Sequence, residues 1–218
     1  MKTVYLSAFP GSAAELELTR LAHLTTLPRT GDAEAMARAL PAREVHLVGF
    51  SLGAVAALRI ASRAPGQVVR VTAISPVAPA ALGGAVPAFA TATGMLAKLS
   101  PGLGAGGAVK QVAAAEPALF DDPAARGVLK QVMSEGLGDP ALARERAAWA
   151  EPWEAELAAI RCQVSLWRGE ADRFTTAQQV TAMARAIRYA EVNWVPRAGH
   201  FGALAEVMQA LARLPDLR

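Results

Sequence analysis

The stretch EVHLVGFSLGAVAALRIA, residues 44–61, decides the fold. Its first part, Glu44 to Gly49, is an apolar, β-branched run of strand length, and Leu52 to Ala64 beyond it is apolar at nearly every position. A helix of that composition is buried on most of its sides, and a strand with no polar face fits the interior of a parallel sheet. Between the two lies Gly49-Phe50-Ser51-Leu52-Gly53, a G-x-S-x-G pentapeptide at a strand-to-helix junction. Such a turn holds its serine in a strained backbone conformation, and the two glycines leave room where a Cβ would clash. The hydroxyl then stands above the carboxyl end of a central strand, the edge where open α/β sheets bind ligands.

The same rhythm extends outward in both directions. Towards the N-terminus, Val4 to Leu6 reads as a strand stopped by Pro10-Gly11, and Ser12 with Glu15 reads as a capping box opening a helix from Ala13 to Leu21. A weak strand over His23 to Thr26 and a helix from Ala33 to Leu40, capped by Asp32, complete that half. Beyond the central helix, Val68 to Ile74 is another apolar strand, so the pattern is βαβ with right-handed crossovers. It breaks after Pro76, where Pro79, Pro87, Pro101, Pro117, Pro123, Pro140 and Pro152 separate helical pieces. It resumes with a strand at Val164 to Trp167, a helix at Thr175 to Ile187, a strand at Val192 to Val195 and a helix from Phe201 to Leu214. The expectation is one three-layer α/β/α domain with a mostly parallel sheet. Residues 1–75 and 160–218 form its core, and residues 76–159 form a helical cap insertion.

Composition narrows the classes. The chain has 218 residues, 53% apolar but only 6% aromatic, so its core is built from Ala, Val, Leu and Ile. The formal net charge is +3 with Lys and Arg scattered, and no basic stripe or aromatic platform suited to nucleic acid is visible. The single cysteine, Cys162, excludes an internal disulfide and reads as a buried structural residue. No apolar run is long enough for a spanning helix, and the short run from Thr3 to Phe9 is a strand rather than a signal peptide. A soluble cytoplasmic protein is the default. Gly102, Gly104 and Gly107 fit a G-x-G-x-x-G spacing, but they follow Leu99-Ser100-Pro101 rather than a strand, which points to a flexible cap loop instead of a dinucleotide site.

A serine hydroxyl needs a base within hydrogen-bond reach to become a nucleophile. Of the three histidines, His46 lies inside a strand and His23 at the start of one, whereas His200 follows the last strand directly after Gly199. Asp172 lies just past the preceding strand and suits the carboxylate that orients the base; Glu170 is a rival nearer the turn. The order Ser51, Asp172, His200 places nucleophile, acid and base on three loops at one sheet edge. An oxyanion forming there needs fixed N–H donors. Leu52, first in its helix, and Phe9, in the loop Ser7 to Gly11, are the candidates, with Ala8 behind Phe9.

The stretches VYLSAFPGS, EVHLVGFSLGAVAALRIA, VSLWRGEADRFT and VNWVPRAGHFGAL resemble the α/β-hydrolase superfamily, in the branch with a helical cap. The resemblance implies acyl chemistry on a small-molecule ester or thioester through an acyl-enzyme, with no metal or organic cofactor. It also implies a sheet trimmed to about six strands, all parallel, because the chain lacks the antiparallel pair with which such proteins begin. Where members commonly carry His-Gly at the start of the oxyanion loop, this chain has Ser7-Ala8. Phe9, Phe50, Trp149 and Trp153 are the candidate substrate contacts, and the cap offers further apolar candidates in Phe89, Met95, Leu96, Leu99 and Phe120. Alternatives are a thioesterase or acyl-carrier-protein ester hydrolase, a carbon–carbon bond hydrolase, and a non-catalytic binding scaffold. The edge strands near Thr25 and Val192 are free to pair in a dimer or to be covered.

Overall fold

The sheet is built from β1 (Lys2–Leu6), β2 (Thr25–Thr26), β3 (Val45–Phe50), β4 (Val68–Ile74), β5 (Gln163–Gly169) and β6 (Ala190–Val195). In this computed structural model, which describes residues 1–19, 21, 23–41, 44–85 and 101–213, the strands lie in the order β2-β1-β3-β4-β5-β6, all parallel. Six parallel strands are what the sequence led one to expect, with β2 and β6 at the edges. Strand β3 is central and buried along its whole length, pairing Gly49 with Leu6 of β1 and Phe50 with Ile74 of β4.

Alternation along the strands divides the interior into two layers. Val4, Leu6, Val45, Leu47, Val71 and Val164 face one way, against α1 (Ala33–Arg38), α2 (Leu52–Arg63) and α8 (Ala177–Ala186). Tyr5, Val48, Phe50 and Ile74 face the other way. Against them lie α3 (Pro101–Ala115), α5 (Pro123–Gly138) and α9 (His200–Leu211). Between β4 and β5 the described residues form helices only, with α4 (Pro117–Phe120), α6 (Leu142–Ala150) and α7 (Glu154–Leu157) completing that segment. Among the described residues no helix is long and apolar enough to cross a membrane.

Three local expectations are corrected. The segment after Ser12 is a short 3₁₀ helix, Ala13–Leu18, rather than an α-helix to Leu21. Thr19 ends it, its N–H and hydroxyl both donating to the Leu16 carbonyl. The Glu15 N–H donates to the Ser12 carbonyl at 3.2 Å, but its side chain does not return to the Ser12 N–H and turns inward, where it is fully buried. The glycine-rich stretch from Gly102 to Gly107 lies within α3, not in a flexible loop. Ala105, Ala108 and Val112 form a buried stripe at helical spacing, and that packing outweighs the weak helix propensity of glycine. Finally, strand β2 contracts to Thr25–Thr26. Phe89, Met95, Leu96, Leu99 and Leu214 lie outside the described residues.

Backbone approaches backbone closely at the elbow. A Cβ on Gly53 would lie 2.2 Å from the Leu6 carbonyl oxygen and 2.3 Å from that of Ser7, and one on Gly49 would lie 2.4 Å from the Gly53 oxygen. All of these atoms are backbone and cannot step aside. Gly53→Ala should therefore lower stability by at least about 3 kcal/mol in urea denaturation. Gly127→Ala, on an exposed turn of α5 with nothing near the new Cβ, should raise it by about 0.5–1 kcal/mol. Equal effects at the two positions would refute this packing.

Candidate active site

Three loops at the carboxyl edge of the sheet carry the groups of interest. Ser51 follows β3 with φ 55° and ψ −118°, a left-handed conformation rare outside glycine. Its N–H donates to the Ile74 carbonyl at 2.8 Å, which ties the turn to the next strand. Leu52 is the first residue of α2, so its N–H has no acceptor one turn earlier in the helix.

Asp172 sits in the loop after β5, which Arg168 shapes by donating to the carbonyls of Asp172, at 2.8 Å, and Thr175, at 2.8 and 3.0 Å. Oδ1 of Asp172 accepts from the N–H groups of Phe174 at 2.7 Å and Thr175 at 3.1 Å. Oδ2 accepts from the Thr175 hydroxyl at 2.9 Å and lies 2.8 Å from Nδ1 of His200. Burial works against the charge on Asp172, but the His200 ring and these donors outweigh it and hold the carboxyl well below the usual carboxylate range. Burial likewise opposes charging His200, and the Asp172 carboxylate overcomes it, so the imidazole stands above its ordinary pKa of 6.5. His200 is the first residue of α9, packed between the rings of Phe50 at 4.8 Å and Phe174 at 5.1 Å.

Ser51, Leu52 and His200 line one cavity of about 440 Å³, counting its mouth. Phe9, Val77 and Phe174 line it too, with Val112 and Met133 from the helices between β4 and β5. Among the described residues that line it, His200 alone is ionisable. An adjoining apolar cavity of about 530 Å³ shares Leu52 and Val77 and is lined by Trp149 and Trp153. Phe50, expected as a substrate contact, is fully buried in β3 and packs behind the His200 ring instead of lining either cavity. Phe120 is also buried, against Phe201. Glu170 is away from the site, accepting from the Arg197 N–H at 3.2 Å. His46 bonds to the Thr72 hydroxyl at 2.8 Å, and burial lowers its pKa to about 4; His23 is exposed. Cys162 is buried, and desolvation pushes its thiol up to about 11.

Sequence reading missed the groups that hold the loop from Ser7 to Gly11. The Ala8 N–H donates to Oε1 of Glu15 at 2.8 Å, and the Tyr5 hydroxyl donates to the same oxygen at 2.5 Å. Since the Ala8 N–H is thus occupied, Phe9 is the remaining candidate donor of that loop. On its other side, Arg29 donates to the carbonyls of Ser7, at 2.7 Å, and of Ala8. Its Nε lies 3.4 Å from Glu145 Oε1 of α6, and its guanidinium sits 5.9 Å from the centre of the Phe9 ring. The Phe9 ring in turn meets Trp149 edge-on at 4.0 Å. The signal was present in Glu15, whose three-residue spacing from Ser12 served the helix cap equally well as a reading.

Comparison with known proteins gives a consistent fold. The sequence model described as the alpha/beta hydrolase family matches residues 6–214. A thermophilic esterase from Thermogutta terrifontis superposes with a TM-score of 0.69 at 19% identity, covering 97% of this chain and 88% of that one. The enol-lactonase from Burkholderia xenovorans LB400 gives 0.69 at 17% identity, covering 97% and 88%. Est816, described as an N-acyl homoserine lactone degrading enzyme, gives 0.69 at 18% identity, covering 98% and 92%. At these identities the likeness is one of fold. No curated protein sequence matches the chain.

Glu15 generates a test of this geometry. Desolvation raises its pKa from 4.5 to about 7, and the bonds from Tyr5 and Ala8 offset only part of that. A carboxyl raised on folding favours the native state below its unfolded pKa, and that contribution is lost as pH rises through about 7. Glu15→Gln, which keeps the shape without the charge, should therefore gain about 2 kcal/mol relative to wild type between pH 5 and pH 8 in urea denaturation. A pH-independent difference would contradict the buried, strained ionisation described.

Proposed function

The chain belongs to the alpha/beta hydrolase family, and from that premise we propose that it is a serine hydrolase cleaving a small, uncharged carboxylic ester through an acyl-enzyme. The observation that carries this reading is the 2.8 Å bond from His200 Nδ1 to the buried Asp172, with Ser51 on a strained elbow bordering the same apolar cavity.

Held by Asp172 at Nδ1, His200 presents Nε2 to the cavity. It takes the proton from the Ser51 hydroxyl as the oxygen attacks the substrate carbonyl carbon. The oxyanion that forms is met by the N–H groups of Leu52 and Phe9, each such donor lowering the barrier by about 3 kcal/mol. Collapse breaks the bond to the alcohol, which leaves with the proton from His200, and the acyl group remains on Ser51. A water deprotonated by His200 then attacks the acyl carbon, releasing the acid and restoring the serine. Among the described residues no carboxylate, lysine or arginine lines the cavity, which favours a neutral substrate, and the neighbouring apolar cavity with Trp149 and Trp153 has room for one substrate arm. On this reading residues 76–159 act as a cap, contributing Val112 and Met133 to the wall. An esterase and lactonases among the structural relatives fit acyl chemistry of this kind.

A panel of p-nitrophenyl esters, lactones and thioesters tests the proposal. Wild type should turn over at least one ester of short to medium length, and Ser51→Ala should lower that turnover by at least about 10³-fold. Turnover by Ser51→Ala at the wild-type rate would remove Ser51 from the mechanism, and preference for thioesters would move the substrate class. Because the neutral imidazole is the reactive form and its pKa is raised, kcat/KM should rise with pH and reach half its plateau above pH 6.5. A half-point well below 6.5 would argue against His200 as the base.

A further inference from the structure

Helix α9 begins at His200, and its cap residue, Gly199, has no side chain with which to satisfy the first-turn N–H groups. Those donors are met from a different part of the chain. Glu116, between α3 and α4, accepts from the Phe201 N–H through Oε1 at 2.8 Å and from the Gly202 N–H through Oε2 at 2.8 Å. It occupies the space a residue 199 side chain would need, since a Cβ on Gly199 would lie 2.3 Å from Glu116 Cδ. The side chain is buried, 7% exposed. It makes the bonds of an N-cap residue, supplied in trans.

We propose that Glu116 is a positioning residue for His200: it caps α9 from the segment between β4 and β5, locks the turn that carries the imidazole, and offsets with its charge the positive end of the helix on which that imidazole stands. This rests on the reading of His200 as the base. The start of a helix carries roughly half a positive charge, which disfavours an imidazolium placed there. A general base must become imidazolium as the serine attacks. Three carboxyl groups favour charge on the ring, Asp172 from the loop after β5 by direct contact, and Glu116 from the α3–α4 junction and Glu15 from the 3₁₀ helix through space, while the rings of Phe50, Phe174 and Phe201 pack around it. Asp172 bonds the ring itself and fixes its tautomer. Glu116 acts one residue further along, on the backbone that sets where the ring can stand, and Gly199 is the opening that admits it.

The test is a proton NMR titration of the His200 ring in the Ser51→Ala protein, its signal assigned by loss in His200→Gln. Adding Glu116→Gln should lower the midpoint by about half a pH unit or more. In the otherwise wild-type enzyme the same substitution should lower kcat about tenfold while KM moves less than about threefold. Gly199→Ala, which forces the carboxyl aside without removing it, should lower the midpoint in the same direction and decides the matter if Glu116→Gln does not fold. An unchanged midpoint in a folded variant of either kind overturns the role of Glu116. The titration needs no turnover, so it reports on Glu116 independently of the ester panel. Loss of turnover in Ser51→Ala with an unmoved His200 midpoint would leave the hydrolase reading standing and remove this one.

Discussion

A single backbone constraint organises this molecule: Ser51 is held at φ 55° between a strand and a helix that nearly touch. The approach is possible only because positions 49 and 53 lack side chains, so that Gly53 can sit against the carbonyls of Leu6 and Ser7. The cost of such a conformation, of order 1–3 kcal/mol, is met by the buried sheet and helix on either side. The same contact brings the loop after β1 beside the start of α2. The candidate nucleophile and both candidate oxyanion donors are thus neighbours by virtue of one packing event.

Around that elbow the protein buries three carboxyl groups, each with a separate structural task. Asp172 bonds the His200 ring, Glu116 bonds the first turn of the helix beneath it, and Glu15 bonds the Ala8 N–H in the loop opposite. Buried acids are expensive unless their oxygens are met by donors, and here most of the donors are backbone N–H groups, those of Phe174, Thr175 and Ala8 in loops and of Phe201 and Gly202 in the first turn of α9. Arg29 complements this by gathering the carbonyls of Ser7 and Ala8 while pairing with Glu145 of α6. The departure from His-Gly at positions 7 and 8 therefore has a physical counterpart: the loop is held from both sides by Glu15 and Arg29.

Much of this was legible in the sequence because it is written in short-range patterns. The strand–elbow–helix at residues 44–64, the parallel rhythm and the positions of Asp172 and His200 after consecutive strands all follow from local periodicity and spacing. What escaped was set by contacts between distant segments. Glu15 matched a capping box by spacing, yet its side chain was drawn inward by Tyr5 and Ala8. Glu116 is one acid in an Ala-rich stretch, and only folding brings it to Phe201, 85 residues away. The glycines of α3 argued against a helix until the stripe of Ala105, Ala108 and Val112 found a core to pack on. Phe50 was read by its neighbourhood to Ser51, but strand alternation sends its ring to the face opposite α2, behind His200.

The central claim is that Ser51 is an activated nucleophile rather than a strained but idle serine. Peptide mapping by mass spectrometry after treatment with fluorophosphonate probes carrying small and large alkyl substituents on phosphorus, each losing fluoride to the attacking serine, tests it most directly. The account predicts a single phosphonyl adduct on Ser51 in wild type, formed far more slowly in His200→Gln. Absence of any adduct on Ser51 across the probes, or labelling equally fast without His200, would contradict it and favour a binding scaffold that keeps the fold without the chemistry.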